Sequence, residues 1–202
     1  MRALILAALA LSNVYGGLLL AQQAPASSSK RSPVSKTSFD TGSTTNGTYR
    51  NNYFQFSYQL PFGWVDRTSD IREDTDKSKV LLAIFERPPA ASGDTVNSAV
   101  VIAAESADSY PGLKTAAQYF GPLTELTESK GFKAVNEPYE FPVDGRAIIR
   151  RDFIKERGSV TMHESSLVMM AKGYVLLFTF IGGNDDEVTE LIEKLSFMRK
   201  SH

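Results

Sequence analysis

The chain has 202 residues, a formal net charge of −1 and 42% hydrophobic residues, with no cysteine and two histidines. The lack of cysteine excludes disulfide staples, thiolate metal sites and thiol nucleophiles, so the fold must rest on its apolar core alone. The near-neutral balance argues against a nucleic-acid partner, because binding phosphates needs a basic surface.

Met1 and Arg2 give a short positive start, and residues 3–11 (ALILAALAL) and 14–20 are apolar, broken at Ser12 and Asn13. This is the profile of a secretory signal peptide over residues 1–26. Cleavage fits after Ala21, or after Ala26, where Ala24-Pro25-Ala26 follows the small-x-small rule. Left uncleaved, the same run would serve as an anchor, since it approaches the roughly 18–20 apolar residues of a bilayer span. Without a cysteine there is no lipid-modified one at the cleavage site. Removing residues 1–26 takes away only Arg2 among the charged residues, so the net charge goes from −1 to −2. The expected address is outside the cytoplasm, in the periplasm or the exterior of a bacterial cell, with no membrane span once the signal is removed.

Residues 27–48 read as a flexible linker, rich in Ser and Thr, with Phe39 its only large apolar residue. Such a composition buries too little surface to offset its ordering entropy. Lys30, Arg31 and Lys36 read as solvating charges, and Asn46-Gly47-Thr48 matches a glycosylation acceptor. Residues 49–200 are long enough for one domain and show no internal repeat.

In the domain's first strand, alternation places Phe54, Phe56, Tyr58 and Leu60 on one face and Tyr53, Gln55, Ser57 and Gln59 on the other. Pro61 ends the pairing and Gly63 allows a turn, leaving Trp64 at the end of the core. The aromatic set reads as core packing first and as a ligand platform second. In the charged loop that follows, Asp74, Asp76 and Ser78 match the first ligand positions of a calcium loop. The match fails at Lys79, where glycine belongs, and at Phe85, where the bidentate glutamate belongs.

Residues 80–85 (VLLAIF) and 99–104 (AVVIAA) read as strands covered on both faces. Leu113, Ala116, Phe120, Leu123 and Thr127 fall at helical spacing, with a kink or a second helix expected at Pro122 and an end at Gly131. Asp144-Gly145 predicts a two-residue hairpin between 132–143 and 146–156. Strands over 160–171 and 174–181 (YVLLFTFI) continue the meander, the last apolar on both faces. Asn184 and Glu187 mark the start of a helix with an apolar stripe at Val188, Leu191, Ile192 and Leu195, and residues 197–199 read as a last strand. The sum is an α+β fold.

Chemistry-bearing patterns are few. A Ser-His-Asp triad or a histidine-based metal site would rest on His163 alone, since His202 is the last residue. His163 and Glu164 are neighbours on a strand and point to opposite faces; an exposed or satisfied histidine is the simpler reading. Gly-rich phosphate loops, dinucleotide-binding turns and nucleophile elbows are missing. Asp185, Asp186, Glu187 and Glu190 sit where negative charge favours the helix dipole. Arg150 and Asp152 share a strand face and read as a paired, solvated rim. No catalytic residue, cofactor or metal is assigned.

The succession YFQFSYQLPFGW, helix, Gly131-Phe132, a hairpin with a central Asp144-Gly145-Arg146, GYVLLFTF, helix and LSF resembles the PsbP-like family across residues 49–200. That family takes in the extrinsic photosystem II subunit, a Ran-binding relative and DcrB-like envelope proteins. The resemblance implies an α/β/α sandwich with a largely antiparallel sheet and a binding or assembly role. The expected function is therefore an exported, non-catalytic interaction module that docks another envelope protein, with Trp64, Asp66 and Arg67 as its candidate surface. A small-ligand or metal-binding domain is the alternative, and an enzyme the third reading.

Overall fold

The computed structural model describes residues 40–71, 75, 77–88 and 95–198. The strands are β1 (Ser43–Thr45), β2 (Thr48–Asn51), β3 (Phe56–Gln59), β4 (Val65–Asp66), β5 (Ser78–Phe85), β6 (Ala99–Ser106), β7 (Lys133–Ala134), β8 (Tyr139–Val143), β9 (Arg146–Arg157), β10 (Val160–Ala171), β11 (Tyr174–Gly182) and β12 (Leu195–Phe197). The helices are α1 (Thr68–Ile71), α2 (Ala116–Ser129) and α3 (Asp185–Glu193).

A large antiparallel sheet has the order β4-β5-β6-β11-β10-β9-β7, with β8 also on β9, and a small one has the order β1-β2-β3-β12. The small sheet and α3 cover one face of the large sheet, where Phe56, Tyr58, Val188 and Leu191 pack with Ile102, Leu167, Phe178 and Phe180. Helix α2 covers the other face through Tyr119, Phe120 and Leu123, which rest on Val168, Val175 and Leu177. This is the α+β, α/β/α arrangement the sequence implied, with a second sheet it did not announce. β12 lies at the far end of the chain from its partner β3, so no local pattern marks the pairing.

The aromatic opening is core. Phe54, Phe56 and Tyr58 are buried, and Phe56 meets Phe178 edge-on at 5.3 Å between centroids. The strand is shorter than alternation suggests, because Gln55 takes a positive φ of 59° and the Asn51 side chain caps a turn by accepting the Phe54 amide. The linker boundary at residue 48 is corrected: β1 and the start of β2 lie inside that span. Asn46 and Gly47, at φ 50° and 70°, form the turn between the two strands. The Tyr49 hydroxyl donates to the Thr41 carbonyl at 2.5 Å and fastens the strand's approach. Ser and Thr content signalled flexibility, but β-branched Thr serves an edge strand equally well.

Helix α2 continues through Pro122 as one element, without the second helix expected to start there. The residue before a proline avoids the helical region because of its own Cβ, and here that residue is Gly121, which has none. The hairpin at Asp144-Gly145 forms as predicted, with both residues at positive φ (48° and 74°). Asn184 caps α3 by accepting the Glu187 amide, but the Glu187 carboxylate turns back to the Gly183 amide at 2.7 Å and to the Ser98 hydroxyl. The last strand lies two residues earlier than predicted, at Leu195–Phe197. Among the described residues no helix is long and apolar enough to cross a membrane.

Candidate functional site

Strand β3 ends at Gln59, and the chain turns at 61–63 before β4. Gly63 takes φ 81°, so Phe62 is thrust outward and is fully exposed, at 105% of its reference area. Trp64 is half-buried against the core face that holds Phe178 and Phe180. Asp66 accepts the Thr68 amide at 2.9 Å and the Thr68 hydroxyl at 2.6 Å, which fixes the start of α1. Arg67 pairs with Asp70 at 3.1 Å, and its amide donates to the Ala83 carbonyl. Of the predicted surface, then, Asp66 and Arg67 are engaged locally and Trp64 seals the core. The outward aromatic is Phe62, which alternation arguments passed over because it lies beyond the strand.

A second grouping lies on β8, β9 and β10. Asp152 accepts from Arg150 Nε at 2.7 Å, Ser165 Oγ at 2.5 Å, Asn136 Nδ2 at 2.7 Å and Tyr139 Oη at 3.1 Å. Burial alone would raise the Asp152 carboxyl. The bonds from Ser165, Arg150 and Asn136, with the charge of Arg150, more than offset that and hold it below the usual carboxylate range. The guanidinium of Arg150 lies 5.0 Å from the Phe141 ring centroid and 6.0 Å from that of Tyr139. Arg150 and Asp152 share a face and pair as predicted, but their side chains keep only 14% and 19% exposure, so the pair is a bonded knot rather than a solvated rim.

His163 Nδ1 lies 2.7 Å from Asp185 Oδ1 at the start of α3, so the histidine is satisfied as expected. Ser165 sits two residues on, on the same strand face, but its hydroxyl is given to Asp152 and the residue is 2% exposed. A hydroxyl so committed and covered is not poised as a nucleophile toward His163. Of the calcium-loop residues, Asp74 and Asp76 lie outside the described residues. Ser78 and Phe85 are the two ends of β5, so a ligand loop cannot span them. Among the described residues no three His, Asp or Glu side chains converge to hold a metal ion.

Two glutamates on the α2 face were not found from the sequence. Glu105 is wholly buried and its Oε2 accepts from the hydroxyls of Tyr110 and Tyr119, the latter at 3.1 Å. Burial pushes its carboxyl up, and the two tyrosine bonds pull back only part of the way. Glu164 is 3% exposed, accepts only the Ser166 hydroxyl at 3.2 Å, and has a second oxygen with no partner. Burial pushes it up to about 7. An alternating pattern reads position 164 as inward; that an inward position holds an acid was the available signal.

No protein-family model matches the chain, and no curated protein sequence does. Solved structures do. Cyanobacterial PsbP (CyanoP) from Synechocystis matches at a TM-score of 0.50 and 15% identity, covering 75% of this chain and 91% of its own. A protein of unknown function from Pseudomonas aeruginosa matches at 0.39 and 15% identity, over 72% and 92%. LpqN, involved in cell envelope biogenesis of Mycobacterium tuberculosis, matches at 0.40 and 11%, over 71% and 83%. The last two superpositions are too loose to bear on the fold. The first agrees with the resemblance drawn from the sequence, and on it the chain has a PsbP-like fold.

Proposed function

We propose that the protein is an exported, non-catalytic interaction module of the cell envelope, which docks another envelope protein through the turn at 61–63. The observation that carries this reading is Phe62, a large aromatic held wholly in solvent at the apex of a tight turn. Single exposed apolar residues are common, but this one is rigidly presented: Gly63 and the Pro61 carbonyl, which accepts the Trp64 amide at 3.4 Å, define the turn. An aromatic so presented loses little conformational freedom when a partner's pocket closes over it, which is how anchor residues concentrate binding energy. Trp64 and the Arg67–Asp70 pair form the adjoining surface. The segment before residue 40 serves in this reading as a signal peptide and a tether.

The reading also draws on how the titratable side chains are used. His163, Asp152, Glu105 and Glu187 each bond to a group of the fold, which supports a scaffold over a reaction centre. The test is capture of a partner from the organism's own envelope extract with wild type and Phe62→Ser. Wild type is expected to retain a stoichiometric protein that the variant loses. Equal retention by both would remove the turn from the interface.

A further inference from the structure

Glu164 has no part in that docking surface, and its surroundings point to a different property. The ladder registers place it in one row across the large sheet: Ala134 opposite Phe153, Phe153 opposite Glu164, Glu164 opposite Ile181, and Ile181 opposite Ala99. Every other member of that row is apolar. Phe132, Phe153, Met162 and Ile181, with Ala134 beside them, make the apolar cover in which it sits. Its own strand offers Ser166 alone, at 3.2 Å, and Oε2 has no partner.

The charged groups of β9 and of the opposite face are bonded elsewhere, and none to this carboxyl. Arg151 on β9 donates to the Asn136 carbonyl and to Thr124 Oγ1, and lies 3.8 Å from Glu137. Lys155, also on β9, donates to the Lys130 carbonyl at the end of α2. His163 and Asp185 pair with each other on the opposite face. From β11, the neighbour opposite is Ile181, and the residues that α2 buries, Tyr119, Phe120, Leu123 and Thr127, carry no charge. An ionised carboxylate here would need water, because a charge left unpaired inside an apolar cover is far costlier than a neutral acid.

The element that yields most cheaply is the one at the edge. Strands β9 and β11 hold β10 through long ladders on both sides. Segment 127–134, by contrast, has only the two-residue β7 as a ladder to the sheet, with the Lys155 ammonium reaching the Lys130 carbonyl and lying 5.4 Å from the Phe132 ring centroid, and it turns at Gly131, whose φ is 87°. We propose that Glu164 couples proton loss to the seating of segment 127–134: with the acid neutral the segment lies closed on the sheet, and with it ionised the segment lifts to admit water.

Hydrogen exchange of the full chain, read segment by segment and corrected for intrinsic rates, tests this at about pH 5.5 and about pH 8.5. The carboxyl titrates near 7 when covered and near 4.5 when open. Protection of 127–134 should then fall roughly 30-fold between the two conditions while β11 stays protected. In Glu164→Gln, which keeps an acceptor for Ser166 but cannot ionise, the same amides should show no change. Should that variant fail to fold, Ser166→Ala still discriminates: removing the carboxyl's one donor should move the loss of protection to higher pH. The proposal is overturned by a pH-independent wild type, by an unchanged pH response in Glu164→Gln, or by β11 losing protection in parallel.

Discussion

The hairpin tip at Asp144-Gly145-Arg146 should act as a clasp on the end of the chain, and its parts can be separated by mutation. Asp144 Oδ2 accepts the Phe197 amide at 2.7 Å, and Arg146 Nη2 donates to the Met198 carbonyl at 3.2 Å. The same guanidinium lies 4.9 Å from the Phe197 ring centroid. Asp144 also has to adopt a φ of 48°. Asp144→Gly keeps the turn and removes the acceptor, so it should cost about 1.5–3 kcal/mol, the worth of a hydrogen bond to a charged group. Asp144→Ala removes the acceptor and adds left-handed strain of about 1–2 kcal/mol. Asp144→Asn tolerates the turn and loses only the charge, costing about 1 kcal/mol. Arg146→Ala forfeits a carbonyl bond and a cation–π contact, again about 1–2 kcal/mol. In thermal denaturation each kcal/mol should lower Tm by about 2–4 °C for a domain of this size. The order Ala, then Gly, then Asn, from worst to mildest, is the signature. Glycine as stable as wild type would refute the clasp, and alanine no worse than glycine would refute the strain.

Other consequences follow from the same geometry. Phe56, fully buried among Tyr49, Phe178 and Phe197, should cost about 3–5 kcal/mol on replacement by Ala, read by urea denaturation. Asp152 is held below its unfolded value of 3.8, so its contribution is present at neutral pH and lost as pH falls through the folded value. Asp152→Asn should therefore destabilise the protein at pH 7 and flatten its stability profile in the acid range below about pH 4. An unchanged acid profile would show that the carboxylate is not held by its four donors. Gly121→Ala should bring no gain while Pro122 follows, because the new Cβ clashes with the proline ring, yet about 1 kcal/mol once Pro122→Ala is made. Equal effects in both backgrounds would show that Gly121 is not what lets the helix continue through Pro122.

The strands and turns were legible because their signals are local. Apolar runs such as 80–85 and 174–181 report burial on both faces, and Asp144-Gly145 reports a turn that needs two positive φ values. What escaped was non-local or chemically ambiguous. β12 finds β3 across the whole domain, and the pairing leaves no trace in either segment. Residues 43–45 look like linker because Ser and Thr serve edge strands and tethers alike. Phe62 was hidden by its neighbours: a run of six aromatics that is mostly core disguises the one that faces outward. Glu105 and Glu164 were passed over because an acid is ordinarily read as exposed even where alternation points inward, and it is the registers and the Tyr119 bond to Glu105 that place them on the α2 face.

Docking through the turn at 61–63 is the function proposed for this domain. Capture from an envelope extract, with partners identified by mass spectrometry and with wild type, Phe62→Ser and residues 1–39 as a control bait, tests it most directly. The account predicts one stoichiometric protein on wild type, weakened at least about tenfold by Phe62→Ser, a loss of about 1.4 kcal/mol. A partner held equally by the variant, or nothing retained above the control, would contradict it.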